Sequence, residues 1–500
     1  MALSTEGAGQ EHWSGKATFV LAAVGSAVGL GNLVRFPYVA GDTGGGAFVL
    51  VYILCILFIG LPVLIAELLL GRRGGGSCVA AISRLAKAEG ASRFWVSFAW
   101  IGMIASFLIV TFYSVLAGWV LHFVIISIGN LAANVGQEGV SALIGPAFID
   151  KTDAQISGQL DALLTNPKQM ILMHAIFIGV TMFILSRGVK GGIEKAAKYL
   201  MPIFFLFLVI LTVFSLVNGD AAATFSFLFK PDFARLGETL ADGSILLQAI
   251  GQAFFSLSLG SAVMLTYGLY LSKSQDIPGS AKVIGVMDTS VALIAGLAIF
   301  PIVFAAGLNE GAGFALLFDT LPLAFHQIPL GGLFAIAFFI MVFFAALTSA
   351  ISLLEVAVAW ADGDIDIDPA VRDRRRVVGV LILGVLAFFI GVGHALSQVP
   401  LAQDTFFNSW YPLDFIPLFE GMTLLDVVDK LTADILLPLG GLLTAIFAGW
   451  VVSTSAAKEE IGFSSERRFQ QWRFLVRWVC PLFVGAVLVY AAILSPLFAS

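Results

Sequence analysis

Apolar runs of 18 residues or more recur along the whole 500-residue chain, and this repetition limits the fold more than any other feature. Inside a bilayer every backbone N–H and C=O must be bonded within the protein, which leaves only helices and closed barrels. Runs of this length are helix-sized, since about 20 residues cross a hydrocarbon core roughly 30 Å thick. We read eleven spans, at roughly 16–38, 46–71, 95–128, 168–186, 194–216, 243–270, 281–309, 331–360, 373–395, 424–451 and 470–497. The expected class is an all-α integral membrane protein. A composition of 59% hydrophobic and 12% charged residues excludes a soluble domain, and a net charge of −6 gives no basis for binding nucleic acid.

The loops alternate in charge. Basic loops hold Arg72 and Arg73, then Arg187, Lys190 and Lys195, then Lys273, then Arg372 with Arg374 to Arg376, then Lys458, Arg467 and Arg468. The intervening loops (129–167, 310–330, 396–423) are nearly free of Lys and Arg and carry Asp150, Asp153, Asp161, Asp404 and Asp414. By the positive-inside rule the N-terminus faces the cytoplasm of a cell whose inner (plasma) membrane holds the chain, and an odd span count puts the C-terminus outside. The opening residues, MALSTEGAGQEHWSGK, lack the apolar region of a signal peptide, so the first span is expected to stay uncleaved. Gly9 to Lys16 is the nearest approach to a Walker A loop, but its spacing is wrong and no Ser or Thr follows the Lys. Cys55 and Cys480 fall in apolar segments and Cys78 in a polar loop, so no disulfide framework is expected.

Two spans carry residues that a continuous helix does not want. AVGSAVGLGNLVRFPY (23–38) places Gly25, Ser26, Gly29, Gly31, Asn32 and Arg35 inside an apolar span. Each glycine costs about 1 kcal/mol relative to Ala in a helix interior, so the run predicts a break. Five spans later, GQAFFSLSLGSAVMLTYGLY (251–270) is punctuated by Ser256, Ser258, Gly260 and Ser261. Non-helical backbone at membrane depth is tolerated where it faces protein or a wet cavity. Paired interruptions in two halves mark an inverted-repeat transporter with its site at the midplane.

These residues closely resemble the neurotransmitter:sodium symporter family, in particular its bacterial, LeuT-like amino-acid transporters. The resemblance rests on EHW at 11–13, GSAVGLGNLVRFP at 25–37, GGGAF at 44–48, and Glu67, Gly71 and Arg72 at the end of span two. It continues through Tyr113 and Trp119, KGGIEKAAKYLMP at 190–202, GQAFFSLSLG at 251–260 and FFAALTS at 343–349. It implies a LeuT-like fold: a 5+5 inverted repeat plus an eleventh helix, with helices 1 and 6 unwound at mid-membrane. The first repeat would occupy 1–240 (spans 1–5), the second 241–455 (spans 6–10), and span 11 with the C-terminus 456–500.

The resemblance also implies two sodium sites. The first would use the carbonyl of Ala27, Asn32, Ser256, Asp288 and the substrate carboxylate; the second, backbone oxygens of Gly25, Val28 and Ala345 with the hydroxyls of Thr348 and Ser349. Hard cations take oxygen ligands, and unwound backbone supplies carbonyls. Thr348 and Ser349 could equally bond back to their own helix. The substrate's carboxylate would lie against the Leu30 and Gly31 amides and the Tyr113 hydroxyl, and its ammonium near Ser26, Ala27, Phe255 and Ser256. Ser26, Ile109, Phe255, Ser258, Ser261, Ser349 and Leu353 would line its side chain. The alternative for Tyr113 is a core tyrosine with a satisfied hydroxyl. Ser261 stands where LeuT-like members have a bulky Phe, and Ser26 replaces an Asn, which implies a wider cavity for a hydrophobic or aromatic amino acid.

Arg35 and Asp429 match the outer gate of the family and Phe255 its aromatic lid. The inner gate departs from pattern: Gln10 stands where the family has Arg, and Gly363 where it has Asp, with Asp362 and Asp364 on either side. Trp13, Lys16 and Tyr270 remain available for a different latch. Asp288 implies independence from chloride, because chloride-dependent relatives carry a neutral residue there; its alternative role is to cap or bond the seventh helix. Glu67 and Glu355, carboxylates at membrane depth, are either functional or buried structural groups. DGDIDID (362–368) begins like a calcium loop but lacks Gly at position six and Glu at twelve. The five histidines show no catalytic or metal spacing.

The expected function is sodium-coupled import of an amino acid by alternating access, in a bilayer, by a monomer or weak dimer, with no enzymatic role. Carriage of another small zwitterion or amine is the alternative. An ion channel is disfavoured because the breaks surround a closed site and no filter motif is present. A membrane enzyme lacks a nucleophile–base or metal-ligand constellation.

Overall fold

The structure is a computed structural model that describes residues 12–491 except 242, 309–314, 364–366 and 404. Among those residues every regular element is a helix. Nine continuous helices are long and apolar enough to cross a membrane: Gly46–Gly74, Arg93–Ile144, Pro167–Leu185, Val189–Asn218, Ile277–Ala305, Gly331–Ala361, Ala370–Ser397, Leu424–Val451 and Glu466–Val489. A tenth crossing is broken, with Lys16–Ala27 and Gly31–Thr43 meeting at 50°. An eleventh consists of Ser244–Ser256 and Val263–Leu269, each too short to span alone. In chain order the two broken crossings are spans 1 and 6. The fold is thus the all-helical, twice-interrupted bundle that the sequence implies.

Spans 3 and 8 pack along each other, span 5 lies on spans 7 and 8, and span 9 on spans 3 and 4. The first half of span 1 packs on span 8, the second half of span 6 on span 2, and span 10 on span 11. The most apolar windows of spans 3 and 8 are 78% and 72% buried, against 33% for spans 5 and 11. The first two form the central wall, and the other two present apolar surface to lipid.

Several boundaries differ from the sequence reading. Span 3 does not end near 128 but runs on as α-helix to Glu138, carried by Leu131, Ala132, Ala133, Gln137 and Glu138 despite Gly136, and stops at Gly139, φ +74°. Span 7 begins at Ile277, where the Asp276 carboxylate accepts from the Gly279 amide at 3.1 Å and Pro278 occupies the first turn. Cys78 is not in a polar loop: it opens an amphipathic helix, Cys78–Ala88, and is fully buried. All three cysteines are free and buried. The end of span 11 beyond 491 lies outside the described residues, as do Gln10, Asp364, Asp366 and Asp404.

The break in span 1 falls at Val28 to Leu30, with Val28 extended. A Cβ on Gly29 would lie 2.5 Å from Ser349 Oγ and 2.8 Å from the Tyr113 hydroxyl oxygen, so only glycine lets these side chains close on the backbone. The freed groups are answered by side chains. Gly29 N donates to Asn32 Oδ1 at 3.2 Å and Leu30 N to the Tyr113 hydroxyl at 3.2 Å. Ser349 Oγ lies 3.0 Å from the Ser26 carbonyl oxygen and 3.3 Å from that of Val28. In span 6, Ser258, Gly260 and Ala262 all take positive φ (54°, 73° and 58°). Left-handed backbone at Ser and Ala costs energy that the surroundings must supply. Part of the support is Glu67, buried in span 2, which accepts from Gly260 N at 2.7 Å. This bond fits the structural role expected of Glu67, while its other carboxylate oxygen is buried without a partner.

Candidate functional site

Between the two breaks lies a cavity of about 30 Å³, room for one or two waters. Its wall contains Ser26, Ala27, Leu30, Gly31, Ile109, Tyr113, Phe255, Ser258, Ser261, Ser349 and Leu353, joined by Gly29 and Leu437. Every residue expected to meet substrate is therefore on this wall except Ser256, which sits just behind it. The Ser26 hydroxyl is buried without a partner. The Tyr113 hydroxyl accepts from the Leu30 amide at the break, so it is both a satisfied buried hydroxyl and part of the cavity wall. Phe255 lies between the cavity and Arg35, whose guanidinium carbon is 5.4 Å from its ring centre. One terminal nitrogen of Arg35 is buried and unpartnered, and Arg35 and Asp429 make no direct ion pair.

Behind the cavity, the structure gathers Asn32, Ser256 and Asp288. Asn32 Nδ2 is 2.8 Å from Asp288 Oδ1 and 2.9 Å from Ser256 Oγ. Ser256 Oγ is 2.7 and 2.8 Å from the two Asp288 oxygens, and the Tyr52 hydroxyl donates to Oδ2 at 3.3 Å. All four side chains are fully buried. The partners of the carboxylate are two hydroxyls and an amide, and among the described residues no Lys, Arg or His stands within ion-pair distance. A buried carboxylate in that position is costly unless a cation joins it. Ala27, Asn32, Ser256 and Asp288 together could hold a hard monovalent cation. Asp288 bonds to side chains of spans 1, 2 and 6, which goes beyond capping its own helix.

The second expected ion set divides. Ser349 reaches across to the Ser26 and Val28 carbonyls, whereas Thr348 Oγ1 bonds back to Phe344 and Ala345 in its own helix, at 3.1 Å each. A Cβ on Gly25 would touch Thr348 Cβ at 3.4 Å, so Gly25 and Thr348 face each other directly. Gly25, Val28, Ala345, Thr348 and Ser349 are thus neighbours, with the Val28 carbonyl engaged by Ser349 and that of Ala345 by Thr348.

At the other end of the bundle sits a cluster that sequence reasoning did not assemble. Trp13 donates its indole N–H to the Tyr267 carbonyl at 3.2 Å and stands edge-on to Tyr270 at 5.9 Å. The Tyr270 hydroxyl donates to Glu355 Oε1 at 2.8 Å. Arg376 reaches Glu355 at 2.5 Å, Asp362 at 2.8 Å and the Leu185 carbonyl at 2.9 Å. One network therefore ties the N-terminal approach to spans 4, 6, 8 and 9. Gly363 has φ +96°, so an Asp at that position would be strained. Asp362, one residue earlier, supplies the carboxylate. Glu355 had been singled out as a membrane carboxylate, but Arg376 was read as one of a run of loop charges. Its signal was the spacing: residue 376 falls two turns into a helix started by Asp368, whose side chain caps Ala370. Lys16 lies outside this network, at the rim of a separate polar pocket with Ser272 and Asp276.

Among the described residues no group of three or more His, Cys, Asp or Glu could hold a metal ion. His394 and His174 are buried between spans 3, 4 and 9, where His394 bonds Thr111 at 3.0 Å and His174 the Phe388 carbonyl at 3.2 Å.

The sequence matches the sodium:neurotransmitter symporter family over residues 10–138 and 137–497. It is 36% identical over 474 residues to an uncharacterised sodium-dependent transporter of Bacillus subtilis, covering 94% of this chain and 95% of that protein. It is 30% identical over 491 residues to an uncharacterised sodium-dependent transporter of Haemophilus influenzae, covering 97% and 99%. The sodium- and chloride-dependent GABA transporter 2 of Mus musculus is 26% identical over 456 residues, 83% of this chain and 72% of that one. Among solved structures, that of MhsT in complex with L-phenylalanine superposes with a TM-score of 0.82 at 37% identity, over 97% of this chain and 100% of the other.

Proposed function

The chain belongs to the sodium:neurotransmitter symporter family, and from that premise we propose that it couples inward movement of Na⁺ to uptake of a hydrophobic or aromatic amino acid by alternating access. The observation that carries the coupling is Asp288, a buried carboxylate with hydroxyl and amide partners and no cation of the protein's own beside it. In this reading Ala27, Asn32, Ser256 and Asp288 hold one Na⁺, completed by the substrate carboxylate, while Gly25, Val28, Ala345, Thr348 and Ser349 hold a second. One Na⁺ crossing 100 mV releases about 2.3 kcal/mol, so two release about 4.6 kcal/mol, equivalent to roughly three orders of magnitude of accumulation.

The side-chain end of the cavity supports the substrate class. Ile109, Phe255, Leu353 and Leu437 are apolar, the four serines are small, and no acidic side chain lies on the wall to select a basic substrate. The complex of MhsT with L-phenylalanine fits the same class. A cavity of about 30 Å³ requires Phe255 and its neighbours to move before such a ligand enters. The Asp288 carboxylate, beside Tyr52 and Ser256, supplies the negative charge that a bound chloride would otherwise provide, so transport needs none. The outer gate is Arg35, Phe255 and Asp429, closing through water. The inner latch is Trp13 and Tyr270 with Glu355, Arg376 and Asp362. The N-terminus is cytoplasmic, spans 1–5 and 6–10 form the two repeats, and the unit works as a monomer or weak dimer in the plasma membrane.

Tracer uptake into proteoliposomes tests the whole reading. Labelled Leu, Phe or Trp should accumulate under an inward Na⁺ gradient, fail to do so when choline replaces Na⁺, and accumulate equally when gluconate replaces chloride. Preference for Gly or Lys would overturn the pocket assignment, and loss of uptake in gluconate would overturn the role given to Asp288.

A further inference from the structure

The feet of spans 10 and 11 carry two arginines, Arg473 and Arg477, that form no ion pair among the described residues, with Glu89 acting on Arg473 only from beyond 4 Å. Arg477 donates Nε to the Gly449 carbonyl at 2.5 Å, and its stem lies against Gly449, where a Cβ would come within 3.0 Å of Arg477 Cγ. Its guanidinium carbon stands 5.2 Å from the ring centre of Trp450, whose indole N–H donates to the Arg477 carbonyl at 3.1 Å. Trp478 meets Trp450 edge-on at 4.8 Å, and both indoles are about half exposed, 56% and 49%. Arg473, one turn earlier and buried, gives one nitrogen to the Val452 carbonyl at 3.1 Å and keeps two without an acceptor. Among the described residues neither arginine has a carboxylate within 4 Å, in contrast to Arg72, which has one, and Arg73 and Arg376, which have two each.

These groups stand where span 10 ends, at the level of a membrane–water boundary. Tryptophans with an apolar body and a polar N–H settle at that depth, and long cationic side chains reach toward it. Cations inside spans find partners, and basic pockets between helices on the side of the basic loops take lipid headgroups. Arg477 keeps its two terminal nitrogens for an outside acceptor, in the planar fork that matches a phosphate bidentately. We propose that the foot of spans 10 and 11 binds the phosphodiester headgroup of an anionic phospholipid, with Arg477 donating to the phosphate and Trp450 and Trp478 packing against the glycerol and the first methylenes. This site is distinct from the substrate and ion machinery.

Native mass spectrometry of the full-length protein, exchanged into micelles with equal amounts of phosphatidylglycerol and phosphatidylcholine, tests it. The wild type should retain one phosphatidylglycerol in preference to phosphatidylcholine. Arg477→Gln should lower that retention about tenfold, the factor lost with one charge-assisted contact. Arg477→Lys should recover only part of it, and Trp478→Ala, on the exposed face, should lower it without disturbing the fold. Arg187→Gln, which removes a cation from another basic loop, should leave it unchanged. Equal retention of the two lipids by the wild type would overturn the proposal. So would full retention in both Arg477→Gln and Trp478→Ala, or competition by inorganic phosphate alone, which would mark a free-anion site. If Arg477→Gln does not fold, Arg477→Lys and Trp478→Ala decide the matter by the same readout.

Discussion

Asp288 and Glu355 are both carboxylates buried completely at membrane depth, yet their surroundings are opposite. Glu355 has its own cation, Arg376 at 2.5 Å, and that arginine has a second carboxylate in Asp362. Asp288 has only the polar uncharged groups of Asn32, Tyr52 and Ser256. The first arrangement closes on itself and clamps helices together. The second has no ion-pair partner among the described residues, and in the proposed function a Na⁺ supplies it. The difference teaches that two carboxylates equally buried can be compensated in different ways, and that what separates them is whether the protein supplies the counterion.

The largest effect that would sharpen this contrast is expected from Asp288→Asn. Truncating one member of a buried charged pair costs 2–5 kcal/mol, so the sodium concentration for half-maximal substrate binding should rise on the order of a hundredfold. Scintillation proximity binding over a sodium series measures it, and an unchanged midpoint would erase the distinction between the two carboxylates. Glu355→Gln should act on stability instead. Breaking a buried ion pair costs about 3–5 kcal/mol, and the low end applies because Asp362 still faces Arg376. Thermal unfolding should show the loss, while the sodium midpoint stays within about threefold of wild type, well under 1 kcal/mol. A large shift in sodium affinity with no loss of stability would break the comparison from the other side.

Smaller still is the split inside the second ion set. Ser349→Ala removes bonds that cross from span 8 to span 1, whereas Thr348→Val removes bonds within span 8. Ser349→Ala should raise the sodium midpoint about tenfold, the scale of a lost hydrogen bond to a buried partner, and Thr348→Val less. Equal wild-type sodium dependence in both would sink the second site.

The smallest effect belongs to a carboxylate that has neither a cation nor an ion to expect. Asp319, in the helical turn Leu316–Thr320 outside the spans, has one oxygen buried without a partner, and burial together with nearby Asp161 pushes its pKa up to about 6 from 3.8. Its folded state holds the proton more tightly than the unfolded chain does. The associated stability is present below about pH 4 and lost as pH rises through about 6. Asp319→Asn should abolish that slope in unfolding scans, by less than about 1 kcal/mol because the side chain is half-exposed.

Much of this was legible in the sequence because membrane helices announce themselves by length and their breaks by glycine and serine. The residues around Asn32, Ser256 and Asp288 came from the resemblance rather than from spacing, since 32, 256 and 288 share no local pattern and meet only through tertiary packing. The partner of Glu67, the Gly260 amide in the break of span 6, could not be read from the sequence because the two are 193 residues apart. The inner network was hidden for a different reason. Arg376 belongs to a run of arginines whose evident use is orientation, and only the helix that starts at Asp368 turns that one member inward toward Glu355. Gly29 and Leu437 were missed as cavity residues because a glycine leaves no side chain to expect and Leu437 looked like any other apolar residue of span 10.

The three buried cysteines have a practical consequence for watching the protein move. Cys55 and Cys480 are packed inside the bundle, and burial pushes the Cys78 thiol, outside the spans, up to about 12, so almost none of it is thiolate at neutral pH. The thiolate is the form that reacts with maleimides and spin labels. The natural chain is therefore already a silent background for site-directed labelling. A single cysteine introduced as Phe415→Cys, at an exposed position, would report alone, with no native cysteine removed.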